Sequence, residues 1–255
     1  MIERAIITDF ARKFEIDEYS ILREYLQILF LRDFYHLSES VNVYFKGGTA
    51  IRFLLHSFRF SEDLDFTADL SKAWTKKLVR AAVKKSSLEA PGLELEVLSD
   101  MRNSLSYRIK FPTALSIHAL TVKLEFSFRE KPLTRRTSVI ETELPVSPYP
   151  LVVHYDFEEI LAEKIRAIVT RNQGRDVFDC WFLLSKNVKM NKKFAKRKLV
   201  FYNQKFSLLQ LKESIAGIPH QSLKDDLEKF LPRTHRSMVG DLKSLLLKKI
   251  EDANA

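Results

Sequence analysis

The chain has 255 residues, 45% of them hydrophobic and 29% charged, with 42 Lys and Arg against 33 Asp and Glu for a formal charge of +9. Such a composition buries a real core and excludes wholesale disorder, and the single cysteine, Cys180, excludes an intramolecular disulfide framework and a cysteine-based zinc site. Charges recur every few positions from Met1 onward, and no apolar run nears the roughly 18 residues of a membrane span. The expectation is therefore a cytoplasmic protein with neither a signal peptide nor a membrane partner.

In chain order, Ile21, Leu22, Tyr25, Leu26, Ile28, Leu29, Phe34 and Tyr35 recur at helical spacing. A β-rich alternation over 41–45 then ends on Lys46 and on Gly47-Gly48, an adjacent pair in a chain with only 6 glycines. Thr49 can cap a short helix from Ala50 to His56. Leu64-Asp65-Phe66 reads as a second short strand, followed by a helix over 71–86 and by strands over 93–98, 107–111, 120–128 and 138–144. Pro145, Pro148 and Pro150 mark a connector. Beyond Asp156 the pattern is helical, over 157–172, 175–185 and several amphipathic pieces, with Gly174 breaking the pattern ahead of Arg175-Asp176. The expected architecture is α+β: a mixed β-sheet with flanking helices over 1–150, then an all-helical domain over 151–255.

Charge is distributed unevenly. Residues 1–185 are balanced at 26 Lys and Arg against 26 Asp and Glu, whereas 186–255 carry 16 against 7. The basic tail reads either as a solvated lysine-rich face or as a surface for a polyanion.

Two stretches carry chemistry. In Phe45-Lys46-Gly47-Gly48-Thr49-Ala50 a strand runs through glycines into a helix start, where backbone N–H groups and the Thr49 hydroxyl can meet a phosphate. In Arg59-Phe60-Ser61-Glu62-Asp63-Leu64-Asp65-Phe66 the period of a strand puts Asp63 and Asp65 on one face, and Leu64 and Phe66 on the other. Two carboxylates about 5 Å apart repel by roughly 3 kcal/mol at an effective dielectric near 20. A Mg²⁺ ion would relieve that repulsion. The pairing of Gly48-Thr49 with Asp63-Leu64-Asp65-Phe66 resembles the signature of the DNA-polymerase-β-like nucleotidyltransferases. More narrowly, KGGTAIRFLLHSFRFSEDLDF is similar to the AbiEii-type nucleotidyltransferase toxins of toxin–antitoxin systems.

That superfamily places a third carboxylate on a neighbouring strand. Glu125 is the candidate, sharing one face of Thr121–Phe126 with Lys123. Downstream, a helical wheel sets Lys164, Arg171 and Asp176 inside or at the edge of apolar arcs, so these charges need partners. Two readings stand side by side: a structural ion-pair network, or a lysine on the nucleotide phosphates oriented by Asp176 and Arg175. The resemblance favours the second. It implies that Lys164 and Asp176 act with the Asp63–Asp65 pair, Asp179 being the neighbour, and that Lys46, Gly47, Gly48, Thr49, Arg59, Ser61 and Arg175 bind nucleotide. It implies two Mg²⁺ ions, with Mn²⁺ as the alternative, held by Asp63, Asp65 and Glu125. The implied reaction is transfer of a nucleotide from an NTP to RNA, foremost a tRNA 3′ end, with an antitoxin as partner; from its charge alone, the basic tail is expected to hold the RNA. Transfer to a protein hydroxyl and a non-catalytic RNA-binding module are the alternatives.

Overall fold

The computed structural model describes residues 1–171 and 173–253, and the chain divides into two compact units, Met1–Tyr155 and Asp156–Ala255. Asn172, the last residue of the expected helix 157–172, lies outside the described residues.

The first unit contains helices α1 (Arg4–Lys13), α2 (Glu18–Tyr35), α3 (Gly47–Leu55) and α4 (Lys72–Ser86). Its strands are β1 (Val43–Lys46), β2 (Asp63–Ala68), β3 (Glu94–Met101), β4 (Ser104–Phe111), β5 (Leu120–Ser127), β6 (Arg136–Val139) and β7 (Leu151–His154). They form one seven-stranded mixed sheet in the order β3-β4-β5-β2-β1-β7-β6. β2 runs parallel to β5 and β1 parallel to β7, and the remaining pairs are antiparallel. The fold is α+β, as the residue pattern implies.

One sheet face is a stack of aromatic rings. Phe66 and Phe126 lie 4.8 Å apart and nearly parallel, Phe45 is 5.6 Å from Phe66, and Phe34 of α2 closes on Phe66 at 5.6 Å. Offset rings at these separations add about 1 kcal/mol per pair beyond their buried area. Behind them α2 is enclosed on every side, and every residue from Ser20 to Phe34 is buried. Its polar groups are paired accordingly: Arg23 with Glu62 at 3.2 Å, Glu24 with Arg52 at 2.8 Å, and Asp33 with Arg32 and with the Ser86 hydroxyl.

Three elements depart from the expected pattern. α3 begins at Gly47, so Thr49 is its third residue and not its cap; Lys46 holds the N-cap position in extended conformation. The expected strand over 138–144 is confined to β6, 136–139, and after the Ile140 N–H donates to the Pro150 carbonyl the chain leaves the ladder. Pro145, Pro148 and Pro150 have no N–H to extend it. β7, within the stretch read as a connector, is a four-residue strand that takes its bonds from β1 and β6. Four residues carry too little alternation to announce a strand.

The second unit is helical: α5 (Phe157–Arg171), α6 (Gly174–Ser185), α7 (Lys192–Val200), α8 (Leu208–Gly217), α9 (His220–Leu227) and α10 (Leu242–Asp252). Ile165, Phe178, Leu199, Ile215, Leu223 and Leu246 are among its fully enclosed core residues. Gly174 does more than break a pattern. It is the first residue of α6, its N–H donates to Asp226 at 2.8 Å, and a Cβ there would stand 3.0 Å from the Leu223 Cα. Among the described residues no helix is long and apolar enough to cross a membrane.

Candidate functional site

The face of the sheet opposite the ring stack is polar, and strand register composes it. Asp65 on β2 has Lys46 of β1 as its partner on one side and Glu125 of β5 on the other, and Asp63 stands beside Lys123. Ser106 and Arg108 of β4 continue the row next to Glu125 and Lys123. Neighbouring strands lie about 4.8 Å apart, so the three candidate carboxylates share one small patch on two adjacent strands. Asp63, Asp65 and Glu125 are all half-buried.

The approach to the patch is clamped from below. Gln27 of α2 donates to the carbonyls of Ser61 and Glu62 at 3.1 and 2.9 Å, fixing the loop that feeds β2. The Thr49 hydroxyl, expected to meet a phosphate, donates instead to the carbonyl oxygen of Asp63, tying α3 to β2. Arg59 is buried and donates to the Phe60 carbonyl at 3.0 Å. The Lys46 ammonium lies 5.5 Å from the centre of the Tyr155 ring, and Tyr155 in turn donates to Thr67 at 2.6 Å. Lys46 makes no capping bond to α3, whose first turn contains no acidic residue. The backbone N–H groups of Gly47, Gly48 and Thr49 lie in that first turn, the positive end of the helix.

Gly47 has a reason that lies within the fold itself. Its φ is +81°, and a Cβ there would fall 2.2 Å from a carboxylate oxygen of Asp65. The left-handed backbone and the overlap both act against any side chain. Gly47→Ala is expected to cost about 2 kcal/mol or more of stability, measured by urea unfolding.

Lys123 is the residue of this patch that sequence reasoning left without a role. Its ammonium pairs with the Glu125 carboxylate. That hydrogen bond, reinforced by the charges of Glu125, Asp63 and Asp65 and opposed by partial burial, raises its pKa above the ordinary lysine value. The alternation Lys123-x-Glu125 was a visible signal, but the register that adds Asp63 was not. Hard oxygen donors on adjacent strands suit Mg²⁺ by their chemistry. With Glu125 drawn to Lys123, no three acidic, His or Cys side chains among the described residues already converge as an ion site. The fit to Mg²⁺ therefore rests on the donor set and its register.

The second cluster belongs to the helical unit. Lys164 of α5 reaches Asp176 at 3.0 Å and Asp179 at 2.7 Å, both on α6. Arg171 donates to both Asp176 oxygens, at 2.9 and 3.1 Å. Burial alone would raise the pKa of Asp176, but the charge of Lys164 and the hydrogen bond and charge of Arg171 outweigh it and hold it at about 2. Arg175, expected at the nucleotide, lies with its guanidinium 5.7 Å from the centre of the Phe230 ring. A further buried cation, Lys198 of α7, binds Glu159 at 2.7 Å and Glu163 at 2.9 Å on α5. Its inward position between Ala195 and Leu199 was legible in the sequence as a lysine on an apolar face.

The family model described as nucleotidyl transferase AbiEii toxin, type IV toxin–antitoxin system, matches residues 29–245. Among solved structures, JHP933 from Helicobacter pylori superposes with a TM-score of 0.58 at 19% identity, covering 94% of this chain and 95% of that one. MenT4, a nucleotidyltransferase toxin from Mycobacterium tuberculosis, superposes with a TM-score of 0.62 at 17% identity, covering 99% and 94%. At such identities these two structures speak for the fold. No curated protein matches the sequence. The family match spans both clusters, from α2 to α10, and the chain belongs to the AbiEii family of nucleotidyltransferase toxins of type IV toxin–antitoxin systems.

Proposed function

We propose that the enzyme transfers a nucleotide from an NTP to an RNA hydroxyl, with a tRNA 3′ end as the acceptor, and that its cognate antitoxin restrains this reaction. The observation that carries the reading is the β1–β2–β5 register, which sets Lys46, Asp65 and Glu125 side by side with Asp63 and Lys123. In this reading Asp63, Asp65 and Glu125 hold Mg²⁺. A bound Mg²⁺ neutralises phosphate charge and makes an acceptor hydroxyl more acidic.

The chain's own residues do the remainder. The first-turn N–H groups of α3 take the β- and γ-phosphates, and Lys46 adds charge there. The family resemblance gives Lys164 a part in the reaction, and Asp176 and Asp179 fix its ammonium within the helical unit. The acceptor oxygen attacks the α-phosphorus, a new P–O bond forms, the bond to the β-phosphate breaks, and pyrophosphate leaves. Glu125 accepts the hydroxyl proton as Lys123 releases its carboxylate.

The test is incubation of the full chain with Mg²⁺, each α-labelled NTP in turn and total RNA. Label is expected in RNA with wild type and not with Asp63→Ala. Label that enters protein, or stays in the nucleotide pool, overturns the RNA-acceptor reading.

A further inference from the structure

The basic excess is far more local than a tail. Residues 186–205 contain 8 Lys and Arg and not one Asp or Glu, whereas 206–255 contain 8 against 7. Nearly all the net charge of the chain therefore belongs to α7 and its flanks.

Helix α7 presents that charge outward for a physical reason. Ala195, Lys198 and Leu199 are buried, and Lys198 is pinned by Glu159 and Glu163 of α5. That i, i+3, i+4 anchor leaves Lys192, Lys193, Lys196 and Arg197 exposed on the opposite side. Lysines at 186 and 189 extend the exposed row towards α6. At its C-terminal end the helix closes through Asn203, whose φ is +54°, with the N–H groups of Tyr202 and Gln204 both donating to the Leu199 carbonyl. The turn carries two aromatic rings at the edge of the basic face. Phe201 is 59% exposed. Tyr202 is braced by the Arg166 guanidinium, 4.7 Å from its ring centre.

We propose that this surface binds single-stranded RNA, with phosphates along the α7 cations and an unpaired base stacked on Phe201. The identification of the strand as the acceptor of the reaction rests on the function proposed above. Cations alone would suit any polyanion, but the exposed ring at the end of the row selects for a ligand with free base faces. A duplex offers none along its length, and a lipid surface would call for a broad apolar face where α7 offers one apolar end.

The experiment measures binding of the full-length protein to a fluorescein-labelled 20-nucleotide oligouridylate, to an RNA duplex of equal length, and to phosphatidylcholine–phosphatidylglycerol vesicles. Phe201→Ala is expected to weaken oligouridylate binding about tenfold and to leave duplex binding unchanged, with Phe201→Tyr restoring it. Reversing four charges together, with Lys192→Glu, Lys193→Glu, Lys196→Glu and Arg197→Glu, is expected to lower the slope of log affinity against log salt by about three. Oligouridylate binding unchanged in either variant overturns the proposal, as does an equal loss for duplex in Phe201→Ala or a wild type that prefers vesicles to RNA. The two readings fail separately. Binding through α7 without label transfer to RNA sinks the proposed reaction alone, and transfer that survives the α7 variants at subsaturating RNA sinks the surface alone.

Discussion

Asp63→Asn is expected to lower nucleotide transfer about 10³-fold while leaving the thermal midpoint unchanged. The substitution keeps the shape of the side chain and removes one of three clustered negative charges. Two opposing consequences for stability nearly cancel. Repulsion from Asp65 two residues along β2 disappears, and so does attraction to Lys123, its register partner on β5. For catalysis nothing cancels, because in the proposed reaction the lost charge faces Mg²⁺ and the triphosphate. The measurement is single-turnover transfer beside differential scanning fluorimetry. Transfer within a few-fold of wild type would remove Asp63 from the site.

Asp176→Ala is expected to act in the opposite way, by destabilising the helical unit by about 3–5 kcal/mol. Asp176 is completely buried and is bound by both Lys164 and Arg171. Its removal takes one carboxylate from the buried Lys164 ammonium, which still faces Asp179. The two tryptophans separate the units: Trp181 lies on α6 and Trp74 on α4. Urea unfolding of wild type, Trp74→Phe and Trp181→Phe, each with and without Asp176→Ala, therefore localises the loss, which is expected in the Trp181 signal.

The same residue sets an acid dependence. Its pKa is about 2 in the folded chain against an ordinary 3.8, so the folded state favours the ionised form. The corresponding stabilisation, about 2 kcal/mol, is fully present above pH 3.8 and is lost as pH falls through 2. Asp176→Asn is expected to flatten the stability profile between about pH 4 and pH 2 relative to wild type, read from urea midpoints.

How much of this was legible in advance depends on the range of the signal. The Asp63-Leu64-Asp65-Phe66 alternation is local, and a period of two is enough to send two carboxylates one way and a leucine and a phenylalanine into the ring stack. The glycine pair at the strand–helix junction is likewise visible. The reason for Gly47 was not, because it lies in a carboxylate 18 positions away. The wheel that placed Lys164 and Asp176 inward anticipated that they need partners, and they prove to be each other's. Thr49 lies outside what a local period conveys: its hydroxyl donates to the Asp63 carbonyl, a bond that depends on how α3 is laid against β2.

By itself the sequence determined the fold class, the two carboxylates on one strand face, the inward charges of α5 and α6, and the basic excess. Each follows from a period of two or 3.6 or from simple counting, which act within one element. Tertiary structure alone decided that Glu125 and Lys123 stand beside Asp65 and Asp63, that β7 is a strand, and that the inward Lys198 meets Glu159 and Glu163 of α5. Register and helix docking are set by residues far apart in the chain, whose mutual fit no local pattern encodes.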